Sequence, residues 1–240
     1  MIKEALQYIV DLSKAEVREI DGVVYSDKNL TPVFKPNMKS KIETKTLDSI
    51  VEYIKHNIDE VVSGKPVIVH ISDYNKVSVL SQADKDSRER DYYVTASIDT
   101  NKFKYRYFYD TESFNIALQS MFVESKDRDI ILKVVGNIRE SAVRSIGDDG
   151  VSQSVTVKTG IASVSNVKVP NPVVLRPYRT FTEIEQPESR FIFRMQEGGL
   201  CALFEADGGA WEKKAVINIK EYLSDKLSKE IENGQAVILA

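Results

Sequence analysis

Between Pro66 and Tyr109 four runs of strand character follow one another with only turns or a polar loop between them. That spacing constrains the fold more than any other feature of the chain. Pro66–Ser72 reads PVIVHIS, a turn follows at Asp73–Asn75, and Lys76–Leu80 reads KVSVL; Tyr92–Ile98 then reads YYVTASI and Phe103–Tyr109 reads FKYRYFY. Antiparallel neighbours need only a turn between them, whereas parallel neighbours need a long crossover. The runs therefore predict an antiparallel sheet rather than regular βαβ winding, with FKYRYFY paired to YYVTASI. The pattern returns near the C-terminus, where FTEIEQ, SRFIFRM and LCALFEA are separated by the turn signals Gln186-Pro187 and Gly198-Gly199. A three-stranded meander is expected there.

Isolated helices lie between these strand groups. Ile2, Ala5, Leu6, Ile9, Val10 and Leu12 form one apolar stripe, and a second runs through Leu47, Ile50, Val51, Ile54, Ile58, Val61 and Val62 to a stop at Ser63-Gly64. A third helix is expected over Thr111–Phe122, capped by Thr111 or Ser113. A longer one, capped by Ser125, carries Ile130, Ile131, Val134, Val135, Ile138, Ala142, Val143 and Ile146 as far as Gly147. After the turn at Asp148–Gly150, SQSVTVKTGIASV alternates in strand fashion. Residues 166–178 hold Pro170, Pro172 and Pro177 and read as an edge or crossover. Asp207 is placed to cap a last helix through Trp211, Ala215, Ile219, Leu223 and Leu227, ahead of the apolar tail AVILA. The fold class is α+β: antiparallel sheets, four to five helices, and a C-terminal meander followed by a helix. The expected organisation is one domain over residues 1–240, with an extended polar arm at about residues 26–46 that contains Pro32 and Pro36.

Composition narrows the setting. At 240 residues with 42% apolar content the chain can bury a sizeable core without disulfides, and its single cysteine, Cys201, cannot form an intramolecular one. No run approaches the ~18 apolar residues of a membrane span, and the opening MIKEALQYIVDLSK carries acids where a signal peptide would not. A cytoplasmic protein without a membrane partner is expected. The formal charge of −3 argues against a globally basic nucleic-acid binder and leaves room for a local patch.

Such a patch is legible in the segment Lys102–Asp110. On a strand, Phe103, Tyr105, Tyr107 and Tyr109 would share one face and Lys102, Lys104 and Arg106 the other. Two further clusters mix arginine with rings: Arg176, Tyr178, Arg179 and Phe181, then Arg190, Phe191, Phe193 and Arg194. Rings that stack on bases and cations that meet phosphates are what single-stranded nucleic acid needs, so Lys102, Lys104, Tyr105, Arg106, Tyr107, Arg176, Arg179, Arg190 and Arg194 are the candidate contacts. The competing reading is ordinary: rings face a core and arginines solvate the reverse side.

Catalytic signals are sparse. His56 and His70 have no metal-ligand spacing, and Cys201 has no neighbouring cation to activate it. Asp148 with Asp149, and Glu205 with Asp207, could offer oxygen ligands to a divalent metal, although both pairs also suit turns and caps. Asp207 followed by Glu212 and Lys214 has the residue types of a restriction-type nuclease, but a helix would diverge side chains that must converge on one metal. No phosphate-binding glycine loop follows Walker spacing, and no cofactor is implied.

The segments DDGVSQSVTVKTGIA, VPNPVVLRPYRTFTEIEQPESRFIFRM and FEADGGAWEKKAVINIKEYL resemble a family of uncharacterised phage and prophage proteins of Gram-positive bacteria, and TLDSIVEYIKHN is similar as well. The resemblance implies a viral setting inside a bacterial cell and carries over no site residue. Three functions are expected in descending order: a non-enzymatic protein acting by homo-oligomeric assembly and partner binding, in a ring- or shell-like body; a single-stranded nucleic-acid-binding accessory of phage replication or recombination; and a metal-dependent nuclease or hydrolase.

Overall fold

The computed structural model describes residues 2–13, 15–20, 23–27, 40–62, 64–85, 88–99, 103–136, 143–148, 153–159, 163–196 and 198–240. The chain divides into two units, Met1–Ser40 and Lys41–Ala240. The first unit holds helix α1 (Ile2–Ser13) and a hairpin of β1 (Val17–Ile20) and β2 (Val23–Ser26), paired from Val17 with Ser26 to Ile20 with Val23. The helix is where its stripe predicts. The hairpin is new, because four-residue strands carry too few alternations to register as a period.

The second unit begins with β3 (Ile42–Thr44), α2 (Leu47–Lys55), a 3-10 turn at Ile58–Glu60, β4 (Val67–Asp73), β5 (Lys76–Leu80) and β6 (Tyr92–Ser97). Thr46 caps α2, its hydroxyl accepting from the Ser49 amide, while Glu183 accepts from the Leu47 amide at 2.7 Å. The helix stops at Lys55 and not at Val62. Asn57 enters the left-handed region (φ 45°), and its side-chain carbonyl accepts from the Val62 amide at 2.9 Å, so the later apolar positions lie on a turn. The β4–β5 hairpin forms as expected, and β5 pairs antiparallel with β6.

Next come α3 (Thr111–Met121), α4 (Lys126–Gly136), β7 (Val143–Asp148), β8 (Gln153–Thr159), β9 (Ser163–Lys168), β10 (Val173–Leu175), β11 (Ser189–Gln196), β12 (Leu200–Glu205), α5 (Ala210–Lys226), α6 (Ser228–Glu232) and β13 (Ala236–Leu239). The tail AVILA thus becomes a strand, parallel to β4, while β3 lies parallel to β6. The sheet order is β13-β4-β5-β6-β3. Part of the expected polar arm is therefore an edge strand; residues 28–39 of it lie outside the described residues.

Two apolar clusters organise this unit. The first joins Val67, Val69, Ile71, Val77, Val79, Val94 and Ala96 of the five-stranded sheet to Leu47, Ile50 and Ile54 of α2 and Ile219 and Leu223 of α5. The second joins Phe191, Phe193 and Met195 of β11 and Cys201 and Leu203 of β12 to Phe114 and Leu118 of α3 and Ile131, Val134 and Val135 of α4. The α+β class and the C-terminal meander followed by a helix are as the sequence predicts, with β10, β11 and β12 antiparallel in that order.

Four local expectations change. FTEIEQ is not the first meander strand: residues 181–186 form a loop, and the short β10 takes the edge position instead. Phe103–Tyr109 is not a strand beside β6; its one bridge runs from Tyr109 to Cys201 on β12. The long helix ends at Gly136, and Val143 and Ile146 lie in β7, where β-branched residues fit a paired strand as well as they fit a helix. The cap of α3 is Asp110, whose carboxylate accepts from the Ser113 amide at 2.9 Å.

Phe191 is fully buried and packs against Tyr105 (5.4 Å between centroids) and Phe122 (6.4 Å). Phe191→Ala is expected to cost about 3–5 kcal/mol, read as a lower urea midpoint with an unchanged slope.

Candidate functional site

The segment expected to be an aromatic and cationic strand folds as a braced loop. Phe103 is buried against Phe122 (5.1 Å) and Phe114 (6.2 Å), Tyr105 stacks on Phe191, Phe108 meets Phe204 (6.2 Å), and Tyr109 lies 5.1 Å from Phe103. Two backbone bonds link Tyr109 and Cys201 at 2.8 and 2.9 Å, the Arg106 amide donates to the Leu203 carbonyl at 2.9 Å, and the Lys104 amide donates to the Tyr109 hydroxyl at 2.8 Å. Four of the five rings are thus core or core-edge residues, which is the ordinary reading of an aromatic run.

What remains outside is Lys104, Arg106 and Tyr107. Tyr107 is 52% exposed, its ring packs edge-on against Tyr109 at 4.9 Å, and the Lys104 ammonium sits 5.6 Å from its centroid. Arg106 holds φ at 62°, in the left-handed region, at a cost of about 1–2 kcal/mol for a residue with a Cβ. The nearest acid in sequence, Asp110, is committed to capping α3. Lys102 lies outside the described residues.

The other candidate cations divide by burial. Arg179 is 5% exposed and lies in a closed set of contacts: an ion pair to Glu205 at 2.9 Å, a short hydrogen bond to the Ser189 hydroxyl, and the face of Trp211 at 3.9 Å, with Phe191 and Tyr105 also in cation–π range. Its backbone is held by Gln186, whose side-chain oxygen accepts from the Arg179 amide at 2.9 Å and the Thr180 amide at 3.2 Å, while its nitrogen donates to the Phe181 carbonyl at 2.9 Å. Burial lowers the Arg179 pKa, while Tyr105, Glu205 and Asp207 raise it. Burial likewise raises that of the Tyr105 hydroxyl. Arg176 is paired with Glu185 at 3.1 Å and also donates to the Glu124 carbonyl. Arg190 and Arg194 alternate on the face of β11 opposite Phe191 and Phe193; Arg190 is exposed and Arg194 half-buried. The structure therefore leaves Lys104, Arg106 and Tyr107 exposed on one loop, with Lys104 against the Tyr107 ring, while Arg176 and Arg179 are committed internally. Gln186, Ser189 and Trp211 complete the Arg179 set, yet no spacing in the sequence marks the first two.

The four candidate metal carboxylates have these surroundings. Glu205 is engaged with Arg179, Asp207 accepts from the Gly209 amide at 3.2 Å in the turn before α5, Asp148 ends β7, and Asp149 lies outside the described residues. Asp207 does not sit at the N-cap itself; Gly209 does, at φ 82°. Among the described residues no group of three or more His, Cys, Asp or Glu side chains is placed to share a metal. A cleft of about 490 Å³ opens beside Trp211, where Arg190 and Lys214 face Glu188 and Asp207, so its lining carries no net sign. No described helix is long and apolar enough to cross a membrane. No family model, curated protein or solved structure matches this chain.

Cys201 is fully buried, and burial pushes its thiol up to about 12. Since the fold favours the neutral thiol, this stabilisation is complete below the unfolded thiol pKa of about 8.5. It declines as pH rises towards the folded value. A thiol-specific dye is expected to leave Cys201 unlabelled at neutral pH until denaturant is added. Removing Arg179 by R179A is expected to cost about 1.5–3 kcal/mol by urea unfolding, because the buried Ser189 hydroxyl and the more open Glu205 lose a charged hydrogen-bond partner.

Proposed function

We propose that this protein works without catalysis, as a phage-type component that assembles with copies of itself, and with a partner, into a ring- or shell-like body in the bacterial cytoplasm. One observation carries this reading: within Met1–Ser40 no residue whose exposure is described is buried. Ile2 is 80% exposed, Leu6 58% and Ile9 61%, and Val17, Ile20 and Tyr25 of the hairpin are also open. A helix of 12 residues is marginal on its own in water, and an apolar stripe of this extent is stable only when something covers it.

The reading commits to a second copy as that cover. Ile2, Ala5, Ile9 and Leu12 follow the three-four-three spacing of a coiled-coil seam, and every copy carries the same seam, so two can close on each other about a symmetry axis. The resemblance of the C-terminal segments to phage proteins supports the viral setting. Glu205 and Asp207, already engaged in an ion pair and a turn, weigh against the lowest-ranked reading, a metal-dependent nuclease or hydrolase.

The test is the mass in solution by light scattering of the whole chain and of an Ile2→Asp, Ile9→Asp double variant. A discrete oligomer that falls to a smaller species in the variant, with unchanged thermal unfolding of the second unit, is expected. A monomeric wild type, or a variant of the same mass, overturns the reading.

A further inference from the structure

We propose that Lys104, Arg106 and Tyr107 form a contact patch for single-stranded nucleic acid, presented by the braced loop on the outer side of β12. It rests on residues distinct from those of the assembly reading, and each can stand without the other.

The backbone at Arg106 is the first argument. Among the described residues five non-glycine positions have positive φ, namely Asn57, Asp59, Glu60, Arg88 and Arg106; the side chains of Asn57 and Asp59 bond locally, Asn57 to the Val62 amide and Asp59 to the Tyr53 hydroxyl, whereas Arg88 is, like Arg106, an exposed arginine. Arg106 has no such return: among the described residues its guanidinium meets no hydrogen-bond or ion-pair partner, and it points into solvent. Glycine or asparagine would hold φ 62° at lower cost. A strained position that keeps a long cation with no internal partner suits an external one.

The second argument is the ring. Of the aromatic residues from Phe103 to Tyr109, Tyr107 alone is more than half exposed. The Tyr109 ring buttresses it, so little side-chain freedom is lost when a base stacks on it. The Lys104 ammonium lies 5.6 Å from the centroid of this ring and Arg106 precedes it in the chain, and the two bonds to Tyr109 and Leu203 fix the backbone of both in advance of phosphate contact. A cationic pair alone would also suit an acidic protein surface. The exposed, supported ring beside the cations favours nucleic acid, and sequence-tolerant binding is the form that stacking plus phosphate contact takes.

The experiment measures fluorescence anisotropy of labelled oligothymidine and oligouridine of roughly 16 nucleotides with the full chain, at several salt concentrations. Saturable binding that weakens steeply with salt is expected. Tyr107→Ala should weaken it by about tenfold or more, the loss of one stacked base. Lys104→Ser with Arg106→Ser should weaken it further and flatten its salt dependence. Arg106→Gly separates function from folding: it should unfold at an equal or higher temperature than wild type while binding less tightly. No binding by wild type at low salt, wild-type affinity in the variants, or a lower unfolding temperature for Arg106→Gly each overturns the proposal. So does a change in oligomer mass without a change in binding, which would make the patch a protein contact.

Discussion

The second unit depends on one buried cation. Arg179 lies where the two apolar clusters approach each other: its guanidinium faces Phe191 and Tyr105 of the aromatic cluster and stacks on Trp211 at the start of α5, the helix that covers the five-stranded sheet. A charge that deep is tolerable only if its donors are met, and Glu205 and Ser189 meet them. The residues after Arg179 are fastened by the Gln186 amide, and the Thr180 hydroxyl donates to the Tyr74 carbonyl in the β4–β5 turn. One loop without regular structure thereby ties the five-stranded sheet to the β10-β11-β12 sheet through side-chain bonds.

The same economy shapes the loop from Phe103 to Asp110. Its rings extend the aromatic cluster beyond what α3 and α4 supply, and its backbone continues the β10-β11-β12 order through the single bridge at Tyr109 and Cys201. A regular strand there would place every second residue on one face. The left-handed turn at Arg106 breaks that alternation, so Tyr105 and Tyr109 reach inward while Tyr107 turns out. The first unit follows the opposite design, with a helix and a hairpin on which Ile2, Leu6, Ile9, Val17, Ile20 and Tyr25 are exposed.

How much of this was legible depends on whether local pattern or distant partners decided each element. The stripes of α2, α3 and α5 and the β4–β5 hairpin were readable because burial of one face imposes a period on the residues themselves. FTEIEQ reads as a strand and is a loop because the Gln186 side chain takes over hydrogen bonds that a ladder would otherwise provide. The edge strands β3 and β13 were hidden for a related reason: three or four residues become a strand only when β6 and β4 offer them backbone partners. Of the candidate surface, the residue types of Lys104, Arg106 and Tyr107 were evident, while the separation of Arg176 and Arg179 from them was not. An arginine in a sequence does not disclose whether a carboxylate or solvent will meet it.

The sequence by itself determined the α+β class, the succession of strands ahead of a closing helix, and the amphipathic start, since each follows from turn spacing and from the period of apolar residues. Tertiary structure alone decided that an alternating aromatic run would be a braced loop, that Arg179 would be an internal rivet while Arg106 faces outward, and that two short segments would complete a mixed sheet. Those outcomes rest on contacts between residues far apart in the chain, such as Arg179 with Glu205 and Trp211, or Tyr109 with Cys201, and local periodicity holds no record of them.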